Sequence, residues 1–243
     1  MPRTPNPSMS KPAAIKAIAF DLDDTFWPIA PIIDRAEKAM AAWVTEQYPH
    51  IAGQFDINNL RLLRASLVAE NPALKSDVLN LRRGTIRAAF LEGGESEAAA
   101  DKAFDFFRAE RNRVEFYPDV LPALERLRAR FPLAVISNGF ADLAAIGIHG
   151  HFAAVVSAHE VGVSKPHPRI YAACVERIGL APEEVIYAGD DPTNDVLGPC
   201  AAGMQAAWIN RRAHRWPEEH ADLEEPPQFR DLTEFADWLL LPA

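Results

Sequence analysis

Asp21, Asp23, Asp24 and Thr25 put three carboxylates and a hydroxyl directly after the apolar run Ala17-Ile18-Ala19-Phe20. Carboxylates at this spacing repel one another, and burial at the end of a hydrophobic segment raises the cost of ionising them. A divalent cation offsets that cost. The stretch therefore reads as a metal-assisted catalytic site. Asp21 stands at the end of the run, and Asp23 projects to the same side wherever the backbone stays extended. One carboxylate can then act as nucleophile while the other handles protons.

Three further polar groups can complete such a site. Ser137-Asn138-Gly139 closes the run Leu133 to Ile136, and Gly189-Asp190-Asp191-Pro192-Thr193-Asn194-Asp195 closes Val185 to Ala188. Between them stands Lys165-Pro166. Ser137 and the backbone amides beside it can donate to phosphate oxygens, and Thr25 and Asn138 are candidate contacts to the same anion. Lys165 is a point charge able to reach phosphate and nucleophile together. Asp190 and Asp195 add oxygen donors, so Asp21, Asp23, Asp190 and Asp195 form the candidate metal set, and hard oxygen ligands favour Mg2+. Each piece alone is commonplace, since Ser-Asn-Gly is usually a turn and Lys-Pro a loop. Their order, with Asp21, Ser137 and Asp190 each ending an apolar run, is what makes the signal strong.

The elements that must position these groups alternate. Apolar runs at 15–20, 133–136, 153–157, 185–188 and 204–209 are separated by amphipathic stretches, which predicts an α/β protein with a doubly wound parallel sheet. In such sheets ligands sit beyond the carboxyl ends of the strands. From about Asp34 to Val114 the pattern is helical without a strand. Asp34, Asp56 or Asn58, Ser76 and Ser96 are the expected helix starts, and the four helices read as a bundle inserted into the α/β domain. Arg211 to Pro227 reads as an exposed loop, and Thr233 as the cap of a final helix carrying Phe235, Trp238 and Leu239. The expected division is a core of 13–31 and 116–243, a helical unit of 32–115, and a proline-containing, disordered lead-in of 1–12 in which Met9 is a candidate start.

One residue of the bundle stands apart. At about 100° per residue, Val78, Leu79, Leu81, Thr85, Ile86, Ala89 and Phe90 form one arc with Arg82 near its centre. Arg82 either pairs with a bundle carboxylate or faces a ligand cleft and holds an anion there.

Composition narrows the classes. The 243 residues carry a formal net charge of -9, which disfavours non-specific binding to nucleic acid or an anionic membrane. An anionic substrate would need a metal or a placed Lys or Arg. Cys174 and Cys200 read as reduced, buried thiols of a cytoplasmic protein, and the scattered His lack the spacing of a zinc site. No run reaches the roughly 18 apolar residues of a membrane span.

Asp21-Leu22-Asp23-Asp24-Thr25, Ile136-Ser137-Asn138, Lys165-Pro166 and the 189–195 segment resemble the four motifs of the haloacid dehalogenase superfamily, and the likeness covers nearly the whole chain from about residue 15. The resemblance implies a Rossmann-like core, a helical cap and magnesium. It implies that Asp21 attacks phosphorus to form an aspartyl-phosphate, and that Asp23 protonates the leaving oxygen and then activates water. Asp21, the backbone carbonyl of Asp23, and Asp190 would hold the metal, with Asp195 in support. Asp24 is expected to face away and Thr25 to support the pair's geometry. Dehalogenases of this superfamily lack an acid two residues after the nucleophile, because halide leaves without a proton, so Asp23 favours phosphate ester hydrolysis.

A narrower likeness, to the bacterial phosphatases of FMN and of phosphoribitylaminouracil, is carried by Phe20 to Thr25, Asp77-Val78 with Arg82, Ser164-Lys165-Pro166, Gly189 to Thr193 and Gly203-Met204-Gln205-Ala206. Pro192 and Asn194 depart from the Leu and Thr expected there. The implied partner is a small phosphorylated metabolite, and the protein is expected to be a monomer or homodimer. A sugar-phosphate or phosphoglycolate phosphatase, a phosphomutase, and a catalytically silent binding scaffold are the alternatives. The intact Asp21, Asp23, Lys165 and Asp190 argue against silence.

Overall fold

The computed structural model describes residues 15–220, 223 and 225–241; the lead-in expected at 1–12 lies outside them. Six parallel strands form one sheet in the order β3-β2-β1-β4-β5-β6. They are β1 (Ala17–Phe20), β2 (Leu133–Ser137), β3 (Ala154–Ser157), β4 (Val185–Gly189), β5 (Gln205–Ile209) and β6 (Gln228–Phe229). This is the order of the doubly wound dinucleotide-binding folds, and it reverses beside β1. The first five strands match the apolar runs. The two-residue β6, directly after the predicted loop, is too short to leave a periodic signal.

Helices cover both faces, so central strands are apolar on both sides rather than alternating with polar residues. Ile18, Phe20, Val135, Ile186 and Ala188 point into one layer, packed by α5 (Val120–Arg128) and by the last helix. Ala17, Ala19, Ala134, Ile136, Val185 and Tyr187 point into the other, packed by α8 (Pro168–Ile178).

Between β1 and α5 the chain builds α1 (Ile29–Gln47), α2 (Ile57–Glu70), α3 (Val78–Glu92) and α4 (Glu97–Arg111). These helices have their own cluster, with Met40, Val44, Phe55, Ile86, Phe90, Ala103 and Phe107 buried in it. Phe140, from the loop after β2, packs against that cluster. Asp56 and Ser96 cap α2 and α4 as expected, accepting from the Asn58 and Ala99 amides. Two starts differ. Asp77 rather than Ser76 caps α3, and α1 begins five residues before Asp34. Pro31 does not prevent this, because it falls in the first turn, where a backbone N–H has no partner inside the helix.

Short helices α6 (Leu143–Ile146) and α7 (Ala158–Val161) follow β2 and β3. After β4 comes a π-helical turn, Pro192–Leu197, leading into α9 (Gly198–Ala201). The last helix, α10 (Leu232–Leu240), is capped by Asp231, which accepts from the Glu234 amide, and not by Thr233. Cys174 is buried as expected, whereas Cys200 is exposed. No helix among the described residues is long and apolar enough to cross a membrane.

Candidate active site

The register brings the predicted strand ends together. Phe20 pairs with Val135 on one side and Ala188 on the other, so Asp21 emerges between Ser137 and Asp190. Its amide donates to Ala188 O at 3.1 Å, holding the first residue beyond the strand in line. A cavity of about 220 Å³ opens there, and Asp21, Asp23, Ser137, Asn138, Lys165 and Asp190 are among the residues that line it.

Lys165 is the hub of the buried charges. Its Nζ donates to Asp21 Oδ1 (2.6 Å), Asp195 Oδ1 (2.7 Å) and the Tyr187 hydroxyl (2.9 Å), which uses all three ammonium protons. Tyr187 in turn donates to Ile136 O. Burial pulls the Lys165 pKa down, but the carboxylates of Asp195 and Asp21 outweigh it and raise it above the ordinary lysine value. Burial also pushes the Asp21 carboxyl well above the usual carboxylate range; Lys165 pulls it down, and Asp195 and Asp190 push it further up. Asp190 is pushed up to about 7, by burial first and then by Asp195 and Asp24.

Local structure aims each group. Asp195 is carried by the π-helical turn, and its Oδ2 accepts from the Asp191 amide at 3.0 Å. It packs directly on the backbone of Gly189, where an added Cβ would lie 2.5 Å from the Asp195 carboxylate. Only glycine permits that approach. Asp190 accepts from Thr25 Oγ1 at 3.3 Å, while Trp208 Nε1 donates to its backbone carbonyl at 2.7 Å.

The donor set fits a hard divalent cation. Carboxylate oxygens of Asp21, Asp190 and Asp195 lie within 4.8 Å of one another. Both Asp195 oxygens already accept hydrogen bonds, which makes it a supporting group, and Asp21 and Asp190 offer the better-placed oxygens. The raised pKa of Asp21 and Asp190 comes first from burial, and the neighbouring carboxylates push both further up, a charge that a bound cation would offset. The Asp23 side chain is not in this cluster. Its backbone carbonyl accepts no hydrogen bond among the described residues and is free for a ligand's role.

Asp23 is held separately. The chain turns sharply after it, with Phe26 N donating to Leu22 O and Asp24 N to Trp27 O, and Asp24 takes a left-handed φ of 62°. The turn folds the Trp27 indole back, so that Nε1 donates to Asp23 Oδ1 at 2.8 Å. A second donor to that oxygen, Arg111 Nη2 at 2.7 Å, comes from the last residue of α4. Sequence reasoning missed Arg111. It stands four residues after Phe107 on the apolar face of α4, the same kind of signal that singled out Arg82. Tyr187 was missed too, although a hydroxyl inside an apolar strand calls for a buried partner.

Several assignments change. Arg82 does not line the cavity: its guanidinium pairs with Glu37 of α1 and lies 4.7 Å from the Phe107 ring centroid, inside the bundle. Thr25 is fully buried behind Asp190 and does not face the cavity either. Asn138 borders the cavity, but its side-chain amide is used on Lys165, accepting from the backbone N at 2.7 Å and donating to the backbone O at 3.1 Å. It therefore sets the lysine's position. Asp24 borders the cavity rather than facing away, with its carboxylate drawn to Arg212 and to the Ile29 amide. Ser137 lines the cavity, its Oγ accepting from the Gly139 amide at 3.0 Å.

A Rossmann-type sheet with a buried carboxylate at the end of β1, bridged by a lysine to an acid after β4, is the arrangement found here, and comparison with known proteins gives its class. The haloacid dehalogenase-like hydrolase family model matches residues 15–203. The chain belongs to that family. It is 33% identical over 199 residues to the 5-amino-6-(5-phospho-D-ribitylamino)uracil phosphatase YigB of Escherichia coli (strain K12), covering 80% of this chain and 83% of that protein. It is 32% identical over 224 residues to a glyceraldehyde 3-phosphate phosphatase of Methanopyrus kandleri, covering 87% and 91%. Among solved structures, a 2-haloacid dehalogenase from Pseudomonas syringae pv. Tomato DC3000 superimposes with a TM-score of 0.86 at 33% identity, covering 93% of this chain and 98% of that one.

Proposed function

We propose that this protein is a magnesium-dependent phosphatase of a small phosphate monoester, working through a covalent aspartyl-phosphate on Asp21. The observation that carries the reading is Asp23. A carboxylate beside the nucleophile, anchored through one oxygen, is what an alkoxide leaving group requires and a halide does not. Asp21 attacks phosphorus as the ester P–O bond breaks, and protonated Asp23 gives its proton to the departing oxygen. Asp23 then takes a proton from the water whose oxygen attacks the phosphoryl group, which frees Asp21.

The charge of the cavity supports a metal. Asp21, Asp23, Asp24, Asp190, Asp191 and Asp195 line it against the single ammonium of Lys165, so a phosphate dianion meets net repulsion there. Asp21 and Asp190, with the Asp23 carbonyl, would hold Mg2+, which supplies charge neutralisation for the phosphoryl oxygens. Lys165 keeps Asp21 oriented and charged, and Ser137 offers its hydroxyl proton to a phosphoryl oxygen.

The similarity to a phosphoribitylaminouracil phosphatase makes ribityl phosphates, FMN among them, the first substrates to try. The dehalogenase neighbour at 33% identity favours a second reading, hydrolysis of a 2-haloacid. Both are tested by kcat/KM with Mg2+ across FMN, sugar phosphates, phosphoglycolate and 2-chloropropionate. Turnover of phosphate esters alone is expected, and turnover of the haloacid alone overturns the proposal. Asp23→Asn should lower kcat on an alkyl phosphate by about 10²–10⁴; near-normal turnover would remove Asp23 from the mechanism.

A further inference from the structure

We infer that Arg111 is the positioning residue of the acid-base group, a buried guanidinium of the helical insertion that fixes which oxygen of Asp23 meets the substrate. The inference rests on the phosphatase reading for its kinetic consequence, but not for its geometry.

Two donors converge on one Asp23 oxygen. Trp27 Nε1 lies 2.8 Å and Arg111 Nη2 2.7 Å from Oδ1. The other oxygen, Oδ2, faces Gly139 on the cavity wall: a Cβ added to Gly139 would lie 2.7 Å from it. A carboxylate tethered through Oδ1 by two directional donors cannot rotate freely, so Oδ2 remains the atom available for proton transfer. Asp23 is partly exposed, with 26% of its side chain accessible, and without those donors nothing else among the described residues holds it.

The cost of Arg111 is not explained by folding. Its side chain is 2% exposed, its Nη1 has no protein partner, and its guanidinium lies 5.8 Å from the ring centroids of both Trp27 and Phe140. A buried ion pair is a weak source of stability, and an unpartnered buried donor is a penalty. A guanidinium kept there at that cost is better explained by the carboxylate it orients. Arg111 ends α4, 88 residues along the chain from Asp23, so the aim of the acid-base group depends on how the insertion sits on the core.

General acid catalysis matters most for poor leaving groups, which gives the test. The Arg111→Gln variant is assayed with Mg2+ on FMN, a primary alkyl phosphate, and on p-nitrophenyl phosphate, whose leaving group departs without a proton. Loss of Asp23 alignment predicts a fall in kcat/KM, which reports only the step that expels the leaving group, of about 10- to 100-fold on FMN and under about 3-fold on p-nitrophenyl phosphate. In an Asp23→Asn background, Arg111→Gln should cost nothing further on FMN. Equal losses on the two esters, or losses that add in the double variant, overturn the assignment. If Arg111→Gln does not fold, Arg111→Lys keeps the charge but loses the planar fork that reaches Oδ1 and should give the same leaving-group selectivity; an unselective loss there overturns it equally. If the native enzyme hydrolyses neither ester, the phosphatase reading fails, and a crystal structure of the variant decides the positioning claim. A rotated Asp23 carboxylate supports it, and an unmoved one refutes it.

Discussion

Asp21, the nucleophile of the proposed mechanism, is also a poorly placed charge. It is buried, two further carboxylates lie near it, and Lys165 is the cation that answers it. Replacing it with Asn removes the attacking oxygen but also relieves repulsion. Asp21→Asn is therefore expected to lose turnover by about 10⁴-fold or more while its melting temperature stays level or rises; a large fall in stability would mean that the Lys165 contact dominates. The companion residues divide by what their polar atoms already do. The Ser137 hydroxyl accepts from the Gly139 amide and leaves its proton for the proposed phosphoryl contact, whereas Thr25 donates its hydroxyl proton to Asp190 and Asn138 commits its side-chain amide to the Lys165 backbone.

The four inserted helices were readable as a bundle, but not which side chains meet inside it. Arg82 illustrates this. Its place at the centre of an apolar arc of α3 was visible in the order of residues, yet whether that arc faced a cleft or another helix depended on packing. It faces α1 and α4, with Glu37 and Phe107 as its partners. Arg82→Ala should therefore cost about 1.5–3 kcal/mol of stability, the worth of a hydrogen bond to a charged group, and leave the ratio of kcat/KM values across phosphate esters unchanged. A shift in that ratio, measured beside the melting curve, would return Arg82 to substrate recognition.

Charge at the sheet's carboxyl edge ties the stability of the whole molecule to pH and metal. Asp190 is raised to about 7, above the ordinary aspartate value, so the metal-free folded state binds this proton more tightly than the unfolded chain does. The stabilisation this brings is fully present below about pH 4 and is lost as pH rises through 7. A cation bound to the deprotonated site offsets that loss, by about 2.7 kcal/mol when present at a hundred times its Kd. Millimolar Mg2+ should accordingly raise the melting temperature more at about pH 8 than at about pH 5.5. Equal shifts in calorimetry at both values would separate Asp190 from the metal.

Much of this protein is written locally. Five strands announce themselves as apolar runs because both faces of a covered parallel sheet are buried, and after three of them the candidate chemistry follows in the next one or two residues. That is why Asp21, Ser137 and Asp190 could be named from their order along the chain, with Lys165 added by the Lys165-Pro166 pair between the last two. Caps such as Asp56 and Ser96 are equally local, since a cap and the amide it serves are neighbours. What needed the tertiary structure joins distant residues: Lys165 to Tyr187, Arg111 to Asp23, Arg82 to Glu37, and β6 to β5. Those contacts depend on register and packing, and single-chain periodicity carries information about a residue's own face but none about what that face meets. The carboxylate pair was legible from the first apolar run onward; which oxygen of Asp23 faces the cavity was decided by a guanidinium 88 residues away.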